Sequence, residues 1–238
     1  MRESIEQSIL RETLDAVIAS KWKPPNDSYE LAGFRSLKGR KWSHDLMVVG
    51  RFANGWEAHD PWKVTQDPAE KEKFLQNVFT TEHHKAECPV SNFYKEVKRS
   101  PFWSTVREVA QRLGLGDEWT SRIVYSNLYR FGPDGGNPPA ALCRAQREGC
   151  IKFLANEIAS LAPRRVLLLT GWGWAQWFFG PGGIPLAEQE QRDGNVERVG
   201  TIAVGSTKAN VVVSKHPQGK KREPLVAEIL EAFKALDR

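Results

Sequence analysis

Residues 166–171 read Val-Leu-Leu-Leu-Thr-Gly, and this run decides the fold. Four apolar residues in succession, closed by a glycine, leave no polar face for solvent. A run of this kind is a strand buried on both sides, as in parallel sheets covered by helices. Three other runs share the character: Asp45-Leu46-Met47-Val48-Val49-Gly50, Arg122-Ile123-Val124-Tyr125-Ser126-Asn127-Leu128 and Asn210-Val211-Val212-Val213-Ser214. Helical spacing appears around and between them. Residues 4–20 place Ile5, Ile9, Leu10, Leu14, Val17 and Ile18 on one face, and Pro24-Pro25-Asn26-Asp27 ends that helix. Residues 140–161 put Leu142, Ala145, Cys150, Phe153, Leu154 and Ile158 on an inner side before Pro163. Residues 93–113 read as one or two helices, 173–179 as another and 201–204 as a small strand; Pro224 opens a closing helix over 224–236. With three glycines and three prolines, residues 132–139 are irregular. Residues 51–92 are too long for a plain loop and are therefore functional or partly helical. Strands alternating with helices predict an α/β protein. The expected form is a three-layer α/β/α sandwich around a central, mainly parallel four-stranded sheet.

In such sheets ligands bind beyond the carboxyl ends of the strands. That rule selects Gly50-Arg51-Phe52-Ala53-Asn54, Asn127-Leu128-Tyr129, Gly171-Trp172 and Lys215-His216-Pro217. Composition narrows the class. With 40% hydrophobic and 26% charged residues, the 238-residue chain has enough apolar material for a core and is not a disordered chain. Its net charge of +5 tilts towards a polyanionic partner. Nine tryptophans supply flat faces, some for the core and some for stacking on bases or sugars. Three cysteines, Cys88, Cys143 and Cys150, are too few for a disulfide scaffold. The polar start lacks the features of a signal peptide, and no apolar run reaches the ~18 residues of a membrane span. The expectation is a cytoplasmic protein with reduced thiols.

The ordered set of strand-end motifs resembles the uracil-DNA glycosylase superfamily. "SNLYRFGPDGGNPP" (126–139) is followed by "CRAQREGCIKFLANEIASLAPRRVLLLTG" (143–171) and then by "VVVSKHPQG" (211–219). "VVGRFANG" (48–55) stands where that family carries its water-positioning loop. The resemblance covers residues 45–235, with 57–115 as its least defined stretch, and His216-Pro217 after a valine-rich strand is its most specific element. It implies one glycosylase-like domain over residues 1–238. Residues 1–40 are then an N-terminal helical extension and 57–115 a variable aromatic and helical insertion.

The chemistry accounts for the residue types. A glycosylase breaks a C1′–N bond through an oxocarbenium-like sugar, and the departing base takes up negative charge. A hydrogen-bond donor aimed at a base carbonyl stabilises that charge most in the transition state. The resemblance gives this role to His216; the alternative is a histidine bonded to the backbone. Asn127 offers a donor and an acceptor to the Watson–Crick edge of a flipped base, or else caps a turn. The first loop departs from the family pattern, having no proline. Asn54 takes the water-positioning role by a shift of register, or else Asn54-Gly55 is a tight turn. Gly50, Arg51, Phe52 and Trp56 complete the base-binding set, with Phe52 stacking on the base. Lys215, Pro217, Lys220, Lys221 and Arg222 form the DNA-binding set, in which phosphate contacts release counterions; the alternative is a solvated charge cluster.

These residues imply a DNA glycosylase, a monofunctional N-glycosyl hydrolase that flips a base out of double- or single-stranded DNA and leaves an abasic site. The rebuilt first loop opens the C5 side of the base, and His59, Asp60, Trp56 and Trp62 suit a bulky polar substituent. The expected substrate is therefore a modified pyrimidine, glucosylated hydroxymethylcytosine of phage DNA being the candidate, in a role of anti-phage defence. A plain uracil-DNA glycosylase of base-excision repair and a non-catalytic base reader remain open, as do a small-molecule hydrolase and a structural protein. Without a Gly-x-Ser-x-Gly elbow, a serine hydrolase is disfavoured. No cofactor is expected. Three thiols cannot hold a four-cysteine cluster, and His83-His84 with Cys88 lacks a fourth zinc ligand. The protein is expected to act as a monomer away from membranes.

Overall fold

The computed structural model describes residues 4–52, 58–80, 98–133, 135–180 and 182–238. The chain divides into two units. The first comprises residues 1–35, 51–85 and 127–156; the second comprises 36–50, 86–126 and 157–238.

The first unit is built on helices and a small sheet. Helix α1 (Ile5–Ala19) starts at a capping box, in which the Ser4 side chain accepts from the Gln7 N–H and the Gln7 side chain accepts from the Ser4 N–H. Its inner face contributes Leu10, Leu14 and Val17 to a core shared with Leu31, Phe74, Val78, Phe131, Leu142 and Phe153. Helices α2 (Pro61–Gln66) and α3 (Pro68–Thr80) occupy part of the stretch read from sequence as functional or helical. Ion pairs from Arg11 to Glu72 and from Lys71 to Asp15 (2.7 Å) join α1 to α3. Strands β1 (Leu31–Gly33), β4 (Ala58–His59) and β6 (Phe131–Pro133) make a three-stranded antiparallel sheet in the order β4-β1-β6.

The second unit carries the main sheet, which has seven strands rather than the four expected. Its order is β2 (Leu37–Lys38), β5 (Ile123–Asn127), β3 (Leu46–Gly50), β7 (Arg165–Leu168), β10 (Thr207–Ser214), β9 (Val196–Val204) and β8 (Leu186–Gln191). The four apolar runs are its central strands β5, β3, β7 and β10. Strands β3, β7 and β10 run parallel, with Val49 opposite Leu168 and Leu168 opposite Val213. The sheet as a whole is mixed, because β2 is antiparallel to β5 and an antiparallel hairpin, β8–β9, extends it beyond β10. The expectation of a mainly parallel four-stranded sheet is thus corrected. The hairpin has no continuous apolar run to announce it: Leu186, Ala187, Glu190 and Gln191 of β8 are part-exposed or exposed, and β9 mixes buried, part-exposed and exposed residues. The strand expected over 201–204 is the last part of β9.

Helix α4 (Pro101–Ala110) begins at Ser100, whose side chain accepts from the Trp103 N–H at 3.1 Å, and it continues as a π-helical turn over Gln111–Leu115. Helix α5 spans Trp119–Arg122. Helix α6 covers Ala140–Leu161, the span read from sequence. The helix expected over 173–179 is only α7 (Trp172–Ala175), followed by turns. The closing helix α8 (Arg222–Leu236) packs on β9, β10 and α4 and buries Leu225, Val226, Ile229, Ala232 and Phe233. From it Glu228 reaches the β8–β9 turn, where its carboxylate accepts from the Asn195 amide and from the Asn195 and Val196 N–H groups at 2.6–3.2 Å.

At the amino end of the parallel strands Arg165, only 8% exposed, bonds Asp45 and Asp237. Burial alone would raise the Asp237 carboxyl. The Arg165 hydrogen bonds and charge, with the Asn210 amide, outweigh it and hold the group below the usual aspartate range. The opposite, carboxyl end of the same strands carries the candidate site.

Candidate functional site

In the second unit, strand register fixes the frame of the site. Gly50 ends β3, and Ser214 ends β10 with β7 between them, so the two positions stand roughly 10 Å apart at one sheet edge. After β7 the chain turns at Gly171, whose φ of 78° is the left-handed backbone that glycine adopts without strain. The Gly171 N–H donates to the Ser214 carbonyl at 2.8 Å and ties the two strand ends together.

The loop that follows β10 holds Lys215, His216, Pro217, Lys220 and Lys221 in one short turn. Pro217 is buried, its carbonyl accepts from the Lys220 N–H at 3.0 Å, and Gly219 has φ 74°. His216 is half-buried. The Gln218 N–H donates to His216 Nδ1 at 3.2 Å. An accepting Nδ1 places the proton of a neutral imidazole on Nε2, so Nε2 is the donor of this ring. The ring stands 6.1 Å from the Phe102 ring at an interplanar angle of 32°, and Phe102 contacts Tyr125 at 5.9 Å. Trp103 extends this aromatic group to Tyr125 (4.8 Å) and Trp119 (6.4 Å). Sequence reading missed Phe102; its signal is the Ser100-Pro101-Phe102-Trp103 helix start, which points two aromatics from a capped first turn.

The cations differ among themselves. Arg222 pairs with Glu108 at 2.9 Å, which holds its side chain against α4. Lys220 and Lys221 are exposed, and neither they nor Lys215 make an ion pair among the described residues. One residue behind Asn127, the Ser126 hydroxyl donates to the Glu157 carboxylate at 2.6 Å, both groups being fully buried. Neither Ser126 nor Glu157 was singled out from sequence, because a buried acid inside an apolar helix face carries no local signature.

In the first unit, Asn127 closes β5 and is fully buried. The segment after it is held by one amide. Gln146 Oε1 accepts from the Arg130 and Phe131 N–H groups (3.1 and 2.9 Å), and its Nε2 donates to the Phe131 carbonyl at 2.6 Å. The fully buried Arg130 guanidinium lies 4.3 Å from the Phe153 ring centroid and 5.9 Å from that of Phe34. The Arg51 carbonyl accepts from the Tyr129 N–H at 3.1 Å, which joins the first loop to this segment. Phe52 is 8% exposed, and a Cβ on Gly132 would fall 2.8 Å from its ring, so only glycine lets the ring lie there. Burial pushes the Cys143 thiol up to about 11, and its Sγ donates to the Pro138 carbonyl at 3.3 Å; at neutral pH this is a packed thiol, not a nucleophile.

Asn54 and Trp56 lie outside the described residues, as do His83, His84 and Cys88. Asp60 is the N-cap of α2, accepting from the Trp62 N–H at 2.9 Å, and His59 packs its ring 5.3 Å from Phe74. Both thus have structural roles, while Trp62 is 37% exposed. No group of three or more potential metal ligands occurs among the described residues, and no described helix is long and apolar enough to cross a membrane.

The family model described as the uracil DNA glycosylase superfamily matches residues 39–236, a span that includes Gly50, Asn127, Gly171 and His216. No curated protein matches the chain.

Proposed function

The chain belongs to the uracil DNA glycosylase superfamily, and from that premise we propose that it is a DNA glycosylase acting as a single catalytic domain. The observation that carries the proposal is the His216 imidazole at the carboxyl edge of the sheet, with Nδ1 accepting from the Gln218 N–H, which puts the proton of the neutral ring on Nε2. In the proposed reaction the C1′–N bond breaks with its electron pair going to the base. His216 Nε2–H donates to the base carbonyl and stabilises the developing anion. Asn127 pairs with the base edge and Phe52 stacks on the ring, and Gly50, Arg51 and Trp56 complete the proposed base-binding set. Asn54 orients the water whose hydroxyl joins C1′ and whose remaining proton neutralises the base. The product is an abasic site. No step calls for a cofactor.

The finer substrate reading is a C5-modified pyrimidine, with glucosylated hydroxymethylcytosine as candidate and defence against phage as the role. It is supported by the first loop, Gly50-Arg51-Phe52-Ala53-Asn54-Gly55-Trp56, in which no proline closes the C5 side. The expected setting is a cytoplasmic monomer. A base-excision panel tests the reading. DNA carrying uracil, a G·T mismatch, hydroxymethylcytosine or its glucosylated form is incubated with the protein, and alkali-labile sites are scored. Cleavage confined to the glucosylated base is expected. Equal cutting of plain uracil overturns the substrate claim, and DNA binding with no cleavage at any base points to a non-catalytic reader.

DNA contact by the His216 loop has its own check. Lys220→Ala with Lys221→Ala is expected to weaken binding to all sequences alike. Each lost phosphate contact lowers the slope of log K against log salt by roughly 0.9 for duplex or 0.7 for single strands. An unchanged salt slope assigns these lysines to solvent.

A further inference from the structure

A cleft of about 460 Å³ opens between the Gly171–Trp172 turn and the β8–β9 hairpin, wholly within the second unit. We propose that it holds one unpaired nucleotide flanking the target base, with the phosphate between Arg192 and Lys215 and the base against the stacked Trp172–Arg198 pair. The inference rests on the reading of the chain as a DNA glycosylase and adds a strand preference to it.

The size fits a small organic group, since ligand pockets run from roughly 300 to 1,000 Å³. Three cations, Arg192, Arg198 and Lys215, line it against two carboxylates, Asp193 and Glu197. The Glu197 carboxylate is turned onto the Trp172 N–H at 2.7 Å, so its charge is engaged within the wall. Asp193 is exposed at the hairpin turn. The two arginines are held in advance. Arg192 is fixed by Glu190 at 3.2 and 3.3 Å. The Arg198 guanidinium lies 5.0 Å from the Trp172 ring centroid and donates to the Glu197 carbonyl at 2.9 Å. A flat guanidinium braced by an indole is a platform for a base, and it is sequence-tolerant because every base has a π-face. Within a duplex both faces of a base are already stacked, so only a base outside the stack can use such a platform. Lys215 immediately precedes His216, which ties the cleft to the strand whose base meets the imidazole.

The test is binding of the full chain to labelled single-stranded oligonucleotides carrying one target base, read by fluorescence anisotropy. Flanking nucleotides are replaced one at a time by an abasic spacer. At one flanking position the spacer is expected to weaken wild-type binding about tenfold, the loss of one stacked base. Arg198→Ala is expected to bind more weakly and to lose discrimination at that position. Arg192→Ala is expected to reduce the salt slope by about 0.7. Circular dichroism and thermal melting establish that each variant is folded. Excision by the wild type with no effect of the spacer at any position overturns the cleft proposal alone. Undiminished discrimination in Arg198→Ala also overturns it. A flanking-position effect without excision of any base upholds the cleft and overturns the glycosylase reading.

Discussion

His216→Ala is expected to lower kcat/KM for base excision by roughly two to three orders of magnitude, the usual cost of removing one donor from a developing anion. DNA binding is expected to persist, because the ring acts on charge that appears only as the bond breaks. Single-turnover kinetics on the base identified by the panel measure the effect, with anisotropy on the same oligonucleotide as the binding control. His216→Gln is the informative companion, since its amide restores an N–H donor without the imidazole. Partial recovery in His216→Gln marks a donor role. Wild-type rates in His216→Ala remove His216 from the chemistry and leave the Gln218 contact as a loop brace.

The second large effect lies at the far end of the strands and concerns stability. Arg165→Ala leaves Asp45 and Asp237 without the buried guanidinium between them. The two carboxylates left behind reach solvent, so the cost is that of the lost charged hydrogen bonds, about 2 kcal/mol, and for a domain of this size that lowers Tm by roughly 4–8 °C. The Asp237 carboxyl sits below its ordinary value in the folded state. Its contribution is therefore complete above the unfolded aspartate pKa of about 4 and is lost as pH falls through the lower folded value. In Arg165→Ala this acid-dependent part is expected to shrink, so the difference in Tm between variant and wild type narrows below about pH 4. Thermal melts across pH measure both, and an unchanged Tm at neutral pH refutes the assignment.

The central strands were legible because burial on both sides demands an unbroken apolar run. Val48-Val49, Ile123-Val124, Leu167-Leu168 and Val212-Val213 all lie within the strands they announced. Helix α6 was legible from its inner face and its proline stop. The hairpin β8–β9 was not, since Leu186-Ala187-Glu188-Gln189-Glu190-Gln191 has the composition of a solvated loop and becomes a strand only because β9 offers it a ladder. The candidate site was partly legible for a similar reason. Asn127 ends one strand and His216 follows another, and the rule for α/β sheets points to such positions. Gln146, Glu157 and Phe102 come from helices distant in sequence, and nothing in their neighbours announces what they hold. The cleft is the extreme case. Trp172, Arg192, Arg198 and Lys215 belong to three separate segments, which only the antiparallel extension of the sheet brings to one wall.

The outermost strand of that extension has a further bearing, on how the protein behaves when concentrated. Strand β8 ends the seven-strand order, so among the described residues its outer backbone groups have no ladder partner, and they form a template on which a second chain can grow. One feature opposes such growth. The pairing of β8 with β9 shifts register between Ala187 and Glu190, and such an irregularity bends the strand away from the flat edge that fibril-like stacking requires. The exposed rim is thereby kept from seeding precipitation at high protein concentration.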